Sequence, residues 1–392
     1  MFEALPPAEP DRILALIALS RDDPRPEKID LGVGVYRDSL GETPVFRAVR
    51  AAEARLLEAE RTKTYLGLIG DPEVCASLGR RVLGDDLLAR AAVCQSTGGT
   101  GAIFALARLA QAARPGLRAW LPCPTWPNHA NILRAVGLAT AEYPHLDPAG
   151  RELDFPAMAA ALETVPAGDL VILHGCCHNP SGADPSAEQW RTLAEIAGRR
   201  GWIPFFDLAY PGLGRGWDED VAGLRALCAA VPEALVAVSG SKTFGLYRDR
   251  AGAAFALAGN AADRGRAQDT LAAINRNVHS MPPWRGGAVI RTVLDDPELC
   301  ADWAGELETM RRRIAANRAR VAQALARRPG GQGWSFVGAQ QGMFSLLGLS
   351  DAQVTELRER HAVYVVPGGR VNFAGLGEGQ EDRFAEALLA VA

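Results

Sequence analysis

The 392-residue chain predicts an α/β fold: a mostly parallel, seven-stranded sheet covered by helices, plus a smaller α+β unit. Three observations predict it. Short apolar runs alternate with helical patterns from about residue 92 to residue 258. Strands that alternate with helices make βαβ units, whose parallel sheet is buried on both faces. After residue 295 the alternation stops, and one long pattern rich in Arg and Glu begins. Finally, 48% hydrophobic and 22% charged residues are the composition of an ordinary globular core, which excludes a disordered, collagen-like or staple-dependent chain.

The seven candidate strands, in order, are Ala92–Gln95, Arg118–Leu121, Ala139–Tyr143, Leu170–His174, Trp202–Phe206, Leu235–Ser239 and Ala253–Ala258. Each is a short apolar run of the kind a two-face-buried strand shows. Helical patterns at Gly101–Ala113, Ala187–Arg199 and Asp220–Ala230 sit between them. Asp296 to about Arg328 reads as one helix, ended by Pro329-Gly330-Gly331. Beyond it, strands are expected at Trp334–Val337, Met343–Leu347 and Val363–Val366, then a closing amphipathic helix. The expected division is 44–305 for a large domain and 1–43 with 306–392 for a small one, the helix near 296–328 linking them. No repeat of 20–50 residues is visible.

Charge and composition narrow the function. The net charge is −4, so no broad basic field invites nucleic acid. No window reaches 18 uncharged apolar residues, which predicts no membrane span. Met1-Phe2-Glu3-Ala4 carries an acid early and lacks a secretory n-region. Seven Cys, an odd number in a long chain, fit reduced thiols and a cytoplasmic location. Among 42 basic residues only Lys28, Lys63 and Lys242 are lysines. Chemistry that needs an amine nucleophile therefore has three candidates, because Arg stays protonated.

Four features fall at the carboxyl ends of expected strands, where open parallel sheets bind ligands. Ser96-Thr97-Gly98-Gly99-Thr100-Gly101 opens a helix, whose free N–H groups and positive dipole end suit an anion; alone, it reads more readily as a plain tight turn. Asp207 ends an apolar run, as a cap or as the partner of a buried cation, with Tyr210 three residues on. His174-Gly175-Cys176-Cys177-His178 is followed by Asn179-Pro180-Ser181-Gly182. Adjacent cysteines without a second knuckle argue against zinc, and no metal is expected. Lys242 closes Ser239-Gly240-Ser241-Lys242 after a buried-type strand, whereas Lys28 and Lys63 lie in polar stretches. A desolvated Lys has a lowered pKa and serves as nucleophile or base; the plainer reading is a snorkelling surface lysine. Together, a phosphate turn, a carboxylate, an Asn and an amine match the needs of pyridoxal phosphate.

With these residues in view, the chain resembles a class I aminotransferase of the aspartate/aromatic subgroup, with the type I pyridoxal-phosphate fold. The motifs run from Ile29-Asp30-Leu31-Gly32-Val33-Gly34-Val35-Tyr36 through Lys63-Thr64-Tyr65-Leu66-Gly67 and Pro124-Thr125-Trp126-Pro127-Asn128-His129. They continue in His174 to Gly182, Asp207 to Tyr210, Ser239 to Arg250, and Gly369-Arg370-Val371-Asn372. The resemblance implies that Lys242 forms the Schiff base and moves the proton. It implies that Asp207, supported by His129, pairs with the pyridine nitrogen, that Asn179 and Tyr210 bind the phenolic oxygen, and that Trp126 stacks on the ring. Gly99, Thr100, Ser239, Ser241 and Arg250 would surround the phosphate, with Tyr65 reaching the neighbouring subunit's. Arg370 would hold the α-carboxylate, and Arg276, given across a homodimer interface, the distal carboxylate. Ile13, Gly34, Met281 and Phe344, with Trp126 and Asn179, would complete the substrate pocket.

Three positions depart from the aspartate-type pattern: Met281 where Asn is usual, His279 where an aromatic ring is usual, and Gly368 where Ser is common. Met281 adds a soft apolar wall near Arg276. The expected activity is therefore transamination from aromatic and dicarboxylic amino acids to 2-oxoglutarate by a ping-pong mechanism. The competing expectations are a β-lyase or decarboxylase on the same fold, or a binding protein that keeps the fold without catalysis.

Overall fold

The computed structural model describes residues 1–4 and 12–392, with the backbone alone at 4 and 12–14. Seven strands form the central sheet: β1 (Ala91–Thr97), β2 (Arg118–Cys123), β3 (Ala139–Pro144), β4 (Leu170–His174), β5 (Ile203–Leu208), β6 (Ala234–Ser239) and β7 (Ala251–Leu257). Their spatial order is β1-β7-β6-β5-β4-β2-β3. Only β7 runs antiparallel, to both β1 and β6; the other pairings are parallel. Alternate side chains of each strand enter opposite faces. Leu170, Ile172, Phe205 and Ala237 pack on one side with Ile103 and Leu106 of the helix Gly98–Ala113. Val171, Leu173, Phe206 and Val236 pack on the other with Trp190, Leu224 and Trp303.

Local chemistry sets the helix ends. Ser186 and Gln189 form a capping box at the start of Ala187–Arg200, and Gly201 closes that helix in the left-handed region. Asp296 accepts from the backbone N–H groups of Glu298 and Leu299, opening the 30-residue helix Pro297–Ala326. The C-terminal half of that helix lies in a separate core with Leu31, Val363, Phe373 and Phe384. There Ile29–Asp30 pairs in parallel with Val363–Tyr364, and Arg370–Asn372 pairs antiparallel with Phe344–Leu346. Among the described residues no helix is long and apolar enough to cross a membrane.

One expected strand is corrected. Trp334–Val337 is not a strand but the end of a 3-10 turn, Gly331–Trp334, and the start of a short helix, Phe336–Ala339. The Val337 carbonyl is taken by the buried Arg318 guanidinium at 2.9 Å instead of by a neighbouring strand. The pairs of two and three residues at Ile29 and Arg370 are too short to show a period of two. The expected Trp202–Phe206 strand slides to Ile203–Leu208, which puts Asp207 inside the sheet opposite His174.

Candidate active site

The carboxyl ends of β4, β5 and β6 open into a cavity of about 180 Å³. At one end lies the helix Gly98–Ala113, whose N-terminus receives no side-chain cap. Its first N–H groups therefore stay available to an anion. Gly98 has φ +68°, and a Cβ there would come within 2.8 Å of the Arg250 guanidinium. Glycine thus lets the cation sit directly over the helix start. Gly252 does the same for the backbone: a Cβ would meet the Val238 carbonyl at 2.4 Å. Arg250 donates to Ser241 Oγ at 3.2 Å and to the Tyr247 carbonyl at 3.0 Å. Gly99, Thr100, Ser239 and Ser241 line the same end. Helix dipole, hydroxyls and guanidinium together suit an anion such as a phosphate.

At the other end Asp207 Oδ2 accepts from His129 Nε2 at 2.9 Å. Burial pushes the Asp207 carboxyl up, but the His129 hydrogen bond and nearby positive groups, Lys242 among them, outweigh it and hold it below the ordinary carboxylate value. His129 Nδ1 lies 2.9 Å from Thr125 Oγ1, which lies 3.0 Å from His174 Nε2. One assignment satisfies every member. The Asn179 N–H donates to His174 Nδ1 (3.4 Å), His174 to Thr125, Thr125 to His129, and His129 to Asp207. All of these donors point toward the carboxylate. Burial drives the His174 pKa down to about 3, which keeps that ring neutral.

Between these ends stands Lys242, part-buried after β6. Burial lowers the pKa of its amine, and Arg250 and Arg370 lower it further, against the opposing pull of Asp207. Its Nζ lies 5.4 Å from the Tyr210 ring centre. The Tyr210 hydroxyl accepts from Asn179 Nδ2 at 3.4 Å, and burial raises its pKa. Trp126 closes the cavity with its ring edge-on to His129, centroids 5.2 Å apart.

Arg370 projects from the other core. It donates to the Gly32 carbonyl at 3.0 Å and to Asn179 Oδ1 at 3.4 Å, and its guanidinium lies 4.6 Å from the Phe344 ring centre. Its Nε is buried without a partner, and among the described residues no carboxylate pairs with it. A buried guanidinium without an anion is expensive to maintain unless an anion arrives. Gly34 faces Phe344, where a Cβ would stand 3.4 Å from Cζ.

Several expected residues do not line this cavity within one chain: His129 and Arg370 meet it only through Asp207 and Asn179, and Gly34 and Phe344 lie beside Arg370. Tyr65 is 90% exposed, and Arg276 and Met281 lie outside the lining. The Leu66 backbone N–H meets Met281 Sδ, so the Tyr65 and Met281 segments touch each other. Val278 and His279 line a groove of about 560 Å³ that shares Thr100 and Arg250 with the phosphate end. The Ile13 side chain lies outside the described residues. Sequence reasoning gave Thr125 and His174 no role in the site. The available signals were the four-residue spacing of Thr125 and His129, and the place of His174 at a strand end beside Asp207. Cys176, Cys177 and Asp220 come together, but the Asp220 oxygens already accept from Gly212, Gly214 and Arg215 N–H.

A part-buried amine of lowered pKa, a carboxylate held below its ordinary value and a helix start flanked by hydroxyls and a guanidinium, all on one cavity of about 180 Å³, suit a pyridoxal-phosphate enzyme. The donor set fits the cofactor: cradle for phosphate, anion for the ring nitrogen, hydroxyl and amide for the ring oxygen. Comparison with known proteins agrees. The family model for aminotransferase class I and II matches residues 26–388. A tyrosine aminotransferase of Rhizobium meliloti (strain 1021) is 50% identical over 96% of each chain. An aspartate aminotransferase of Salmonella typhi is 43% identical over the whole of both. A Burkholderia pseudomallei aromatic-amino-acid aminotransferase, solved covalently bound to pyridoxal phosphate, superposes with a TM-score of 0.96 at 38% identity, over 100% of this chain and 99% of that one. The chain belongs to the class I and II aminotransferases and is a pyridoxal-phosphate-dependent transaminase.

Proposed function

We propose that this transaminase accepts both aromatic and dicarboxylic amino acids as donors and 2-oxoglutarate as acceptor, in a ping-pong sequence. In this reading it works in the cytoplasm as a homodimer with shared sites. Residues 44–305 form the cofactor domain, and 1–43 with 306–392 the small domain. The reading is carried by the contrast between two arginines. Arg370 is buried and fixed by Gly32 and Asn179. Arg276 is exposed and, among the described residues, makes no side-chain hydrogen bond or ion pair. A fixed fork suits the α-carboxylate every donor carries. An unfastened one on the partner subunit pairs with a distal carboxylate and swings away from an aromatic ring. Met281 and Phe344 then offer that ring an apolar wall.

The residues divide the chemistry as follows. Pyridoxal phosphate, when bound, disperses the negative charge left at the substrate Cα after proton loss. Lys242 would hold the cofactor, and its Nζ, once free, would take the proton from the substrate Cα. Asp207 stays ionised and keeps the ring nitrogen protonated, held by His129. Asn179 and Tyr210 hold the ring oxygen, Trp126 covers one ring face, and Ser239, Ser241, Gly99, Thr100, Arg250 and the partner's Tyr65 hold the phosphate. The R. meliloti tyrosine aminotransferase and the S. typhi aspartate aminotransferase, named for the two donor classes, support the dual assignment.

The test is the visible spectrum of the holoenzyme with aspartate, tyrosine or phenylalanine in separate cuvettes. Bleaching by both classes, and recovery with 2-oxoglutarate, is the expected result. Bleaching by one class only removes dual use. Failure of 2-oxoglutarate to restore the band removes the acceptor.

A further inference from the structure

Ser239 to Gly245 carries Lys242 yet is neither strand nor helix beyond the end of β6. Its inner side is pinned to the sheet: the Gly240 N–H donates to the Ala251 carbonyl at 2.9 Å, and the Ser241 N–H to Ser239 Oγ at 3.2 Å. Its outer side is held from the long helix Pro297–Ala326. Trp303, fully buried, donates its indole Nε1–H to the Thr243 carbonyl at 2.8 Å. The same ring stacks on Phe244, centroids 4.8 Å apart and 5° from parallel, and meets Trp217 edge-on at 5.3 Å. Both residues gripped by Trp303 follow Lys242 directly. One turn along the helix, Leu307 packs on Gly212, where a Cβ would come within 2.4 Å of it, two residues past Tyr210. The helix thus backs the two loops that carry the amine and the phenol.

We propose that Trp303 is a positioning residue for Lys242. Its N–H fixes the first carbonyl after the lysine, and its ring fixes the second side chain, so the reach of Nζ toward the substrate Cα is set from behind the sheet. The inference rests on Lys242 being the reacting amine. Trp303→Phe keeps one aromatic ring for the stack and removes the N–H donor with part of the ring area. A misplacement well under 1 Å then lowers kcat by about tenfold and leaves KM within about twofold. It also moves the amine relative to Asp207, Arg250 and Arg370, which shifts the pH midpoint at which the visible band of the holoenzyme titrates.

The experiment measures kcat, KM, that midpoint and the melting temperature for W303F and for Phe244→Leu, which spares the hydrogen bond and loosens the ring contact. A fall in kcat with a shifted midpoint in either variant is the expected result. Should W303F fail to fold, F244L carries the same test. Unchanged kcat and midpoint, with or without a lower melting temperature, reduce Trp303 to core packing and overturn the proposal. Lys242→Ala runs alongside: turnover in that variant overturns the reading of Lys242, whereas an inactive K242A with an unperturbed W303F overturns the role of Trp303 alone.

Discussion

At the carboxyl ends of β4, β5 and β6 stand His174, Asp207-Leu208 and Ser239; at their amino ends stand Leu170, Ile203 and Ala234. The same strands therefore open onto two hollows of opposite character. The carboxyl-end cavity holds about 180 Å³ and gathers Lys242, Asp207, Arg250 and Tyr210. At the amino end a groove of about 760 Å³ is lined by Leu109, Leu117, Leu170, Ile203, Leu235 and Leu257, with Arg114, Asp263 and Arg266 among its charged residues. The larger space is not the site. Volume needs only imperfect packing, whereas converging charges with shifted pKa values must be held in place against their own desolvation. The helix Gly98–Ala113 shows the same polarity: its N-terminus faces the cradle, and its last residues, Leu109 to Ala113, face the groove.

Substitutions should hit these two ends unequally. The largest effect is expected from Lys242→Ala, which removes both attachment and proton transfer; turnover should fall by roughly 10⁴-fold or more, measured with any donor. Next comes Arg370→Lys, which keeps the charge and loses the planar fork that Gly32 and Asn179 hold. Its kcat/KM should fall by about 10²-fold for aromatic and dicarboxylic donors alike, since a point charge cannot copy the two-pronged fork and a hydrogen bond to a charged group is worth about 1.5–3 kcal/mol. A loss confined to one donor class would mean that Arg370 does not hold the carboxylate they share.

The carboxyl end was more legible than its appearance in a one-dimensional string suggests. Lys242, Asp207, Asn179 and the Gly98-Gly99 turn each followed an apolar run, and strand-end position alone was enough to group them. The βαβ rhythm gave the sheet because each of its strands is long enough to form an apolar run. The small core was less legible. Ile29–Asp30 and Arg370–Asn372 exist only through partners more than 300 and about 25 residues away, and Trp334–Val337 has an apolar pattern whose carbonyl a side chain, Arg318, satisfies. Tyr65 and Arg276, which the proposed reading assigns to a neighbouring subunit's site, carry no local signal at all; without the family resemblance they read as one Tyr and one Arg among 39.

A smaller effect separates the ends by pH. Behind Asp207 the rings of His129, His174, His178 and His145 touch in succession, His145 and His178 stacked 3.7 Å apart. Burial drives the His145 pKa down to about 4, although its hydrogen bond to the Ala183 carbonyl works the other way. A histidine with a depressed folded-state pKa favours folding above its ordinary value near 6.5. That contribution is lost as pH falls from about 6.5 toward 4, because the unfolded chain binds the proton more readily. His145→Phe should lower the melting temperature at pH 7.5, where the Ala183 carbonyl loses its donor. It should also flatten the decline between pH 6.5 and 4, by an amount on the order of 3 kcal/mol. Parallel acid limbs in the two proteins would mean that His145 does not contribute to acid lability.

The smallest effect belongs to the amino-end groove, and it tests the comparison most directly. Arg114 is exposed at the end of Gly98–Ala113 and lines that groove. Its guanidinium covers Gly168, where a Cβ would overlap it, and among the described residues it has no ion pair. Removing it strips the groove of one cation without touching the strands. Arg114→Ala should leave kcat and KM within about twofold for every donor, and stability within about 0.5 kcal/mol, as for most surface substitutions. The two cavities share the strands between them, so a change that travelled would have to move β4, β5 or β6 along their length. Parallel strands locked by hydrogen bonds on both sides resist such a shift, because their interiors are close-packed on each face. A tenfold change in KM for Arg114→Ala would therefore show that the groove is coupled to catalysis and that the sheet does not insulate one end from the other.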